Sequence, residues 1–388
     1  MKSSLLTKNV IILSLVSFFT DVASEMLYPV MPIYLSSIGF SVLLIGILEG
    51  VAEATAGMSK GYFGKLSDNQ GKRLPFVQLG YTLSAISKPL LVAYVFPLWV
   101  FFARTLDRFG KGLRTGARDA LLSDEATNAT KGRVFGFHRA MDTLGAVVGP
   151  LLALLYLAYR PEDYKMLFLL AFLPGILAIS FTFIIREKKR EKPQQISKTS
   201  FLDFIRYWKE SPAAYRKLLV PLLIFSLFNH SDVFLLLKLK EAGLGDTHVI
   251  GLYIFFNLVY ALFAYPLGSL ADRWGMKRVF AFGLFIFAAV YLGMGYADHF
   301  WMFIALFLLY GLFSAATEGV AKAWVTNISQ PKDTATAIGT YTAFQSIAAL
   351  MASSFAGFVW YSLGPEFLFL VSGTVALLIG LYLNFSKM

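Results

Sequence analysis

The sequence predicts an all-α membrane protein made of two pseudo-symmetric six-helix bundles, with both chain termini on the cytoplasmic side. Three observations predict it. Of 388 residues, 57% are hydrophobic and only 15% charged, more apolar surface than a soluble domain of this length can hide. The apolar residues fall into twelve runs. Most are about 20 residues long, the length a helix needs to cross a hydrocarbon core at about 1.5 Å per residue. Barrel strands would be about ten residues long with strict alternation. Finally, one polar motif occurs twice. Gly64-Lys65-Leu66-Ser67-Asp68, ending in Lys72-Arg73, returns as Gly268-Ser269-Leu270-Ala271-Asp272, ending in Lys277-Arg278, each in a gap between two long runs.

Span 1 (9–36) follows Lys2 and Lys8 and carries Asp21 and Glu25. Its length, its charges and the lack of a small-x-small cleavage site mark it as a retained helix, not a signal peptide. Span 2 (42–63) carries Glu49 and Glu53, and span 3 (74–95) carries Lys88. Span 4 (97–120) holds Arg104, Asp107, Arg108, Lys111, Arg114 and Arg118. Span 5 (134–158) adds His138, Arg139 and Asp142, and span 6 (165–185) closes the first half. A Lys/Glu-rich stretch with Pro193 follows, its Phe201 to Trp208 part amphipathic enough to lie on the membrane surface. Span 7 (217–240) has a polar cluster of Ser226, Asn229, His230 and Asp232. Spans 8 (247–267), 9 (278–296), 10 (299–325), 11 (335–360) and 12 (367–385) complete the chain, with Glu318 and Lys322 an i,i+4 pair in span 10. The division expected is an N-terminal bundle over 1–186, a cytoplasmic linker over 187–216 and a C-terminal bundle over 217–388.

The net charge of +11 has a membrane explanation. Lys and Arg collect in alternate gaps, at Lys65, Lys72 and Arg73, at Lys131 and Arg133, from Arg186 to Lys217, and at Arg273, Lys277 and Arg278. That is the positive-inside pattern, and it places the termini and both motif copies on the cytoplasmic face. A multi-pass protein of the cytoplasmic (inner) membrane is expected, with the lipid bilayer as its partner and no nucleic acid. With no cysteine, disulfides, thiolate metal ligands and cysteine nucleophiles are excluded. Gly39 aligns with Gly243, Gly64 with Gly268, Asp68 with Asp272 and Arg73 with Arg278. Such symmetry between halves marks transporters that rock one bundle against the other.

Over its whole length the chain resembles the major facilitator superfamily of transporters. The doubled Gly-x-Leu-x-Asp-x-x-Gly-(x)-Lys-Arg segment resembles that family's cytoplasmic signature between helices 2 and 3 and its echo between helices 8 and 9. Gly145-Ala-Val-Val-Gly149-Pro150 resembles a motif associated with exporters of the superfamily, and Arg108 to Gly112 more loosely its Arg-x-x-x-Gly motif. The resemblance implies alternating access and, through the span 5 motif, export. Beside it stands the physical reading. Gly64 and Gly268 are expected to turn the chain sharply at a helix end. Asp68 and Asp272 are expected to face helix starts near Thr334 and Arg133, so Gly64, Asp68, Arg73, Gly268, Asp272, Arg278, Glu318 and Lys322 are the gating candidates. Gly145 and Gly149 permit close helix approach, and Pro150 relaxes the backbone. Simple helix packing accounts for the same three residues.

Ionisable residues inside a membrane are costly and therefore functional candidates. They are concentrated in the first half: span 10 has Leu306, Leu309 and Tyr310 where span 4 has Arg104, Asp107 and Arg108. Proton coupling is therefore expected there, through Asp21, Glu25, Glu53 and Arg108. Burial beside other carboxylates favours a protonated carboxyl. Asp21, at mid-depth, is the first choice of carrier, with Arg108 as its switchable partner. Much of this charge must also neutralise itself structurally. Substrate contacts are expected from Asp21, Arg104, Arg108, Lys111, His138, Asp142, Asn229 and His230, with Ser226, Asn229 and His230 sharing one helix face. A small organic solute, exported in exchange for protons by a monomer, is the expected activity. No cofactor is expected beyond the proton gradient as energy source. The alternatives are export of a divalent metal of the iron or nickel type, held by Asp21, Glu25 and His230, and proton-coupled uptake of an organic anion. An enzyme is not expected, since His138 and Asp142 are accompanied by no serine motif.

Overall fold

A computed structural model describes residues 6–28, 30–31, 34–35, 38–39, 42–94, 96–187 and 203–386. All regular structure among them is helical. In chain order the helices are α1 (Lys8–Glu25), α2 (Val42–Gln70), α3 (Leu74–Ala93), α4 (Pro97–Asp124), α5 (Lys131–Tyr159), α6 (Tyr164–Thr182) and the short α7 (Asp203–Glu210). There follow α8 (Ala213–Ser226), α9 (Val233–Glu241), α10 (Asp246–Trp274), α11 (Met276–Tyr296), α12 (Phe300–Ile328), a 3-10 turn (Pro331–Asp333), α13 (Thr334–Leu363) and α14 (Pro365–Phe385).

Local signals explain the ends. Thr7 caps α1, its Oγ1 accepting from the Val10 amide at 3.3 Å. Asp163 caps α6 by accepting from the Met166 amide at 3.3 Å. Pro97 opens α4, where its missing N–H costs nothing. Seven described helices, counting α13 with its 3-10 turn, are long and apolar enough to cross a bilayer. The charges of α4 deny it such a window, and α8 and α9 are each too short. Leu169, Leu173, Ile176 and Leu177 of α6 and Leu262 and Phe263 of α10 are exposed, as side chains facing lipid must be.

Three expectations about elements are corrected. Span 7 is not one helix: residues 227–232 are non-helical between α8 and α9. Ser226, Asn229 and His230 therefore do not share a helix face. Span 1 is not one continuous helix: α1 ends at Glu25, residues 26–28 and 30 are turns, and Met31, Tyr34 and Leu35 are helical again. Gly64 and Gly268 turn nothing, because they lie inside α2 and α10. The turns fall at Gly71 (φ 63°) and Gly275 (φ 96°), left-handed positions that glycine adopts without strain.

The chain forms two compact units. The first comprises Met1–Glu125, Met141–Glu210 and Gln330–Ala343, and the second Ala126–Ala140, Ser211–Ser329 and Phe344–Met388. They cut across the sequence halves at two places. The start of α13 packs in the first unit, and the start of α5 packs in the second. Both exchanges occur where the repeated motif docks.

Candidate functional site

The repeated motif makes two carboxylate clamps on helix starts. In the first unit Asp68 Oδ2 accepts from the Thr336 amide at 2.7 Å and its hydroxyl at 2.8 Å. In the second, Asp272 accepts from the Gly132 and Arg133 amides at 2.7 and 2.9 Å. Unsatisfied amides and the positive helix end make such starts good anion sites. The motif glycines supply the approach. A Cβ on Gly64 would strike the Ala335 carbonyl, and one on Gly268 the Gly132 carbonyl.

The two clamps differ in their basic residue. Arg73 is fully buried, 3.0 Å from Asp68 and 2.5 Å from Asp124. Its own amide and that of Leu74 donate to the Glu187 carboxylate at 2.7 and 3.0 Å. Arg278, its counterpart, is exposed and makes no ion pair among the described residues. Glu318 lies 3.2 Å from Arg139 of α5.

Within the first unit a charged core is built from α1, α3, α4 and α5. Much of it is paired. Lys88 Nζ lies 2.8 Å from Asp107 Oδ1 and donates to Ser24 Oγ at 3.4 Å. Arg114 donates to Ser84 Oγ at 2.6 Å and stacks over Tyr81 at 4.5 Å. Arg118 is held 2.8 Å from Asp119 and reaches Ser17 Oγ at 3.4 Å. Ser17 in turn donates a short hydrogen bond to Asp142, a bridging role its sequence context gives no sign of.

Asp21, Glu25 and Asp142 form an acidic group beside this core. Asp21 hydrogen-bonds Asp142, with Glu25 and Lys111 also in electrostatic range. The cations around Glu25 are Lys111, Arg108 and Arg104. Lys111 thus bears on both Asp21 and Glu25, and Arg108 and Arg104 bear on Glu25 as well. The span 5 motif is what brings the acids together. A Cβ on Gly145 would meet Phe18 O at 2.5 Å and Asp21 Cβ at 2.9 Å, and one on Gly149 Glu25 Cβ at 3.0 Å. A small cleft lined by Ser24, Glu25, Lys88, Arg104, Asp107 and Arg108 opens beside the group. The side chains of Glu49 and Glu53 lie outside the described residues.

His138, Asn229 and His230 belong to the second unit, with His138 one turn before Asp142 on α5. His230 is 3% exposed, with Phe234, Tyr291 and Phe369 rings 5.0, 5.2 and 6.1 Å away. No group of three metal ligands occurs among the described residues. Asp232, at the end of the break, accepts from Tyr310 Oη at 2.6 Å. Tyr310, the residue in the place of Arg108, was visible from sequence only as a departure from the repeat.

A family model described as Major Facilitator Superfamily matches residues 13–256 and 233–386. An uncharacterised MFS-type transporter of Methanocaldococcus jannaschii is 34% identical over 98% of this chain and 95% of its own. Multidrug resistance protein MdtG of Serratia proteamaculans is 23% identical over 78% of this chain and 75% of its own. Among solved structures, the human organic anion transporter MFSD10 superposes with a TM-score of 0.81 over 97% of this chain and 98% of its own, at 17% identity. FucP in its outward conformation gives 0.79 over 99% and 100%, at 12% identity. At those identities the likeness is one of fold.

Proposed function

The chain belongs to the major facilitator superfamily, and from that premise we propose that it exports a small organic solute in exchange for protons by alternating access. The single observation that carries this reading is the acidic group of Asp21, Glu25 and Asp142, held together by the Gly145–Gly149 crossing opposite Arg104, Arg108 and Lys111. Three carboxyls in one water-poor place cannot all stay ionised cheaply. Proton loss or gain there changes how strongly α1 and α5 hold the α4 cations. Asp21, which touches Asp142 and faces one lysine, is the carrier. Glu25, with Arg108, adjusts it. The clamps at Asp68 and Asp272 are the gate: each is a carboxylate on a helix start that must release for the cytoplasmic side to open. Export is supported by the Gly145-x-x-x-Gly149-Pro150 motif and by likeness to a multidrug resistance protein.

The test is transport in proteoliposomes with an imposed pH gradient. A panel of organic cations, organic anions, sugars and divalent metals is first screened by thermal shift, since a ligand specific to the folded state raises the melting temperature. Wild-type protein is expected to move an organic hit against the proton gradient, and Asp21→Asn to bind it but lose proton dependence. Unchanged proton dependence in that variant would remove Asp21 from the mechanism. A hit confined to transition metals would replace organic export with metal export.

A further inference from the structure

The second clamp holds more than a carboxylate on two amides. Next to the Gly132 and Arg133 amides, Lys131 is itself buried, with 7% exposure, and its Nζ donates to Thr326 O at 2.7 Å. Thr326 belongs to the last turn of α12. A helix leaves the carbonyls of that turn without amide partners and carries its negative end there. The same oxygen also accepts from Ser329 Oγ at 3.2 Å. A second bond runs alongside, from Asn327 Nδ2 to Asn128 O at 3.2 Å. Residues 128–131 thus grip the end of α12 while Asp272 of α10 grips the start of α5. All of these residues lie in the second unit.

The repeat shows what this cation replaces. In the register that sets Leu306 against Arg104, Thr326 stands where Asp124 does. In the register that sets Thr336 against Arg133, Thr334 stands where Lys131 does. The ends of α4 and α12 therefore each receive one buried cation. At α4 it is Arg73, 2.5 Å from Asp124. At α12 it is Lys131. Arg278, which repeats Arg73, is exposed, and Thr334, which repeats Lys131, carries no charge. The difference of origin has a mechanical consequence. Arg73, Asp68 and Asp124 all lie in the first half of the chain, so movement of one half against the other leaves their pairing intact. Lys131 and Thr326 lie in opposite halves. Rocking of the halves must part them.

We propose that Lys131 is the gating cation of the second clamp, a latch from α5 to the end of α12 that closes with the Asp272 clamp and breaks when the cytoplasmic side opens. This rests on the gate reading above and adds to it a residue outside the repeated motif. By the same argument Arg73 is a fixed part of its own half and not a moving contact. A hydrogen bond from a charged donor is stronger than a neutral one, so its loss favours the open state.

The experiment uses the fact that the chain has no cysteine, so that one introduced thiol reports alone. Ala323→Cys places it on the face of α12 that turns toward α5. Ala323 has no exposed surface and lies between Thr326 and Gly319, whose added Cβ would meet Phe135 O at 3.3 Å. Ala288→Cys is the control, buried where α11 packs on α14 within the second half. Labelling by a water-soluble maleimide is timed on the purified full-length protein in detergent. Adding Lys131→Met is expected to speed labelling of Ala323→Cys about tenfold and to leave Ala288→Cys unchanged. Adding Lys131→Arg instead keeps the cation and is expected to hold labelling near its original rate. Unchanged labelling of Ala323→Cys, an equal rise in both reporters, or an Arg variant that labels as the Met variant does would overturn the proposal. Asp272→Asn on the same background tests the gate reading separately. A rise with Asp272→Asn but not with Lys131→Met would leave the Asp272 gate standing and remove Lys131 from it. A rise with Lys131→Met alone would do the reverse.

Discussion

Asp68 and Asp272 occupy matching positions in the repeat and make matching bonds, yet they carry unequal structural weight. Asp68 also neutralises Arg73, which has no exposed surface, whereas Asp272 accepts from two amides and has no buried guanidinium bonded to it among the described residues. Asp68→Asn halves the compensation of a buried guanidinium and is expected to cost about 3 kcal/mol. Asp272→Asn loses part of a cap and is expected to cost about 1 kcal/mol. Denaturant titration of the two variants in the same detergent measures the difference. Equal losses would mean that Asp124 alone satisfies Arg73. The acidic partner of each clamp was legible in the sequence because carboxylates and helix starts attract by general rules. The inequality was not, since Asp124 and Glu187 lie far from Arg73 along the chain and no spacing rule joins them.

Helices follow the same division between what periodicity carries and what only packing decides. The apolar runs were readable because bilayer thickness sets their length. The interruption of span 7 was hidden, because Ser226, Asn229 and His230 happen to fall at helical spacing within a long apolar run, and apolarity alone does not distinguish one helix from two. Gly145 and Gly149 show the opposite case. Their spacing announced a close crossing, but not that the partner is the acidic stretch of α1. An element-scale prediction follows from that partner. Gly145→Val forces α1 away from α5 and is expected to cost about 1–3 kcal/mol. It is also expected to lower proton-driven transport about tenfold or more, because Asp21 leaves Asp142. Leu152→Phe, on the lipid-exposed side of the same helix, is expected to change neither. Transport assays and melting curves on both variants decide it. A Gly145→Val protein with normal proton-driven transport would mean that the acidic group does not need this crossing.

At the scale of the molecule, α5 and α13 are the two helices whose residues divide between the compact units. The start of α5 is clamped by Asp272 in the second unit, while its Gly145–Gly149 stretch holds the acidic group in the first. The start of α13 is clamped by Asp68 in the first unit, and its remainder belongs to the second. A helix is stiff along its axis, so on the proposed mechanism a change of protonation at Asp21 is expected to reach the Asp272 clamp through α5, and release of the Asp68 clamp to reach the rest of α13. The two clamps should therefore open as one event. The amides of Gly132, Arg133 and Thr336 report on it directly, since each is protected by a carboxylate that only the closed clamp supplies. In Asp68→Asn, hydrogen exchange is expected to quicken at Gly132 and Arg133 as well as at Thr336, although Asp272 is untouched. Independent gates would quicken Thr336 alone, and coupling by α5 and α13 would then fail while each clamp kept its local role. Asp21→Asn extends the same measurement, because a permanently neutral carboxamide mimics a protonated Asp21. Protection at all three amides, after correction for the intrinsic pH dependence of exchange, is expected to shift together and no longer to vary with pH.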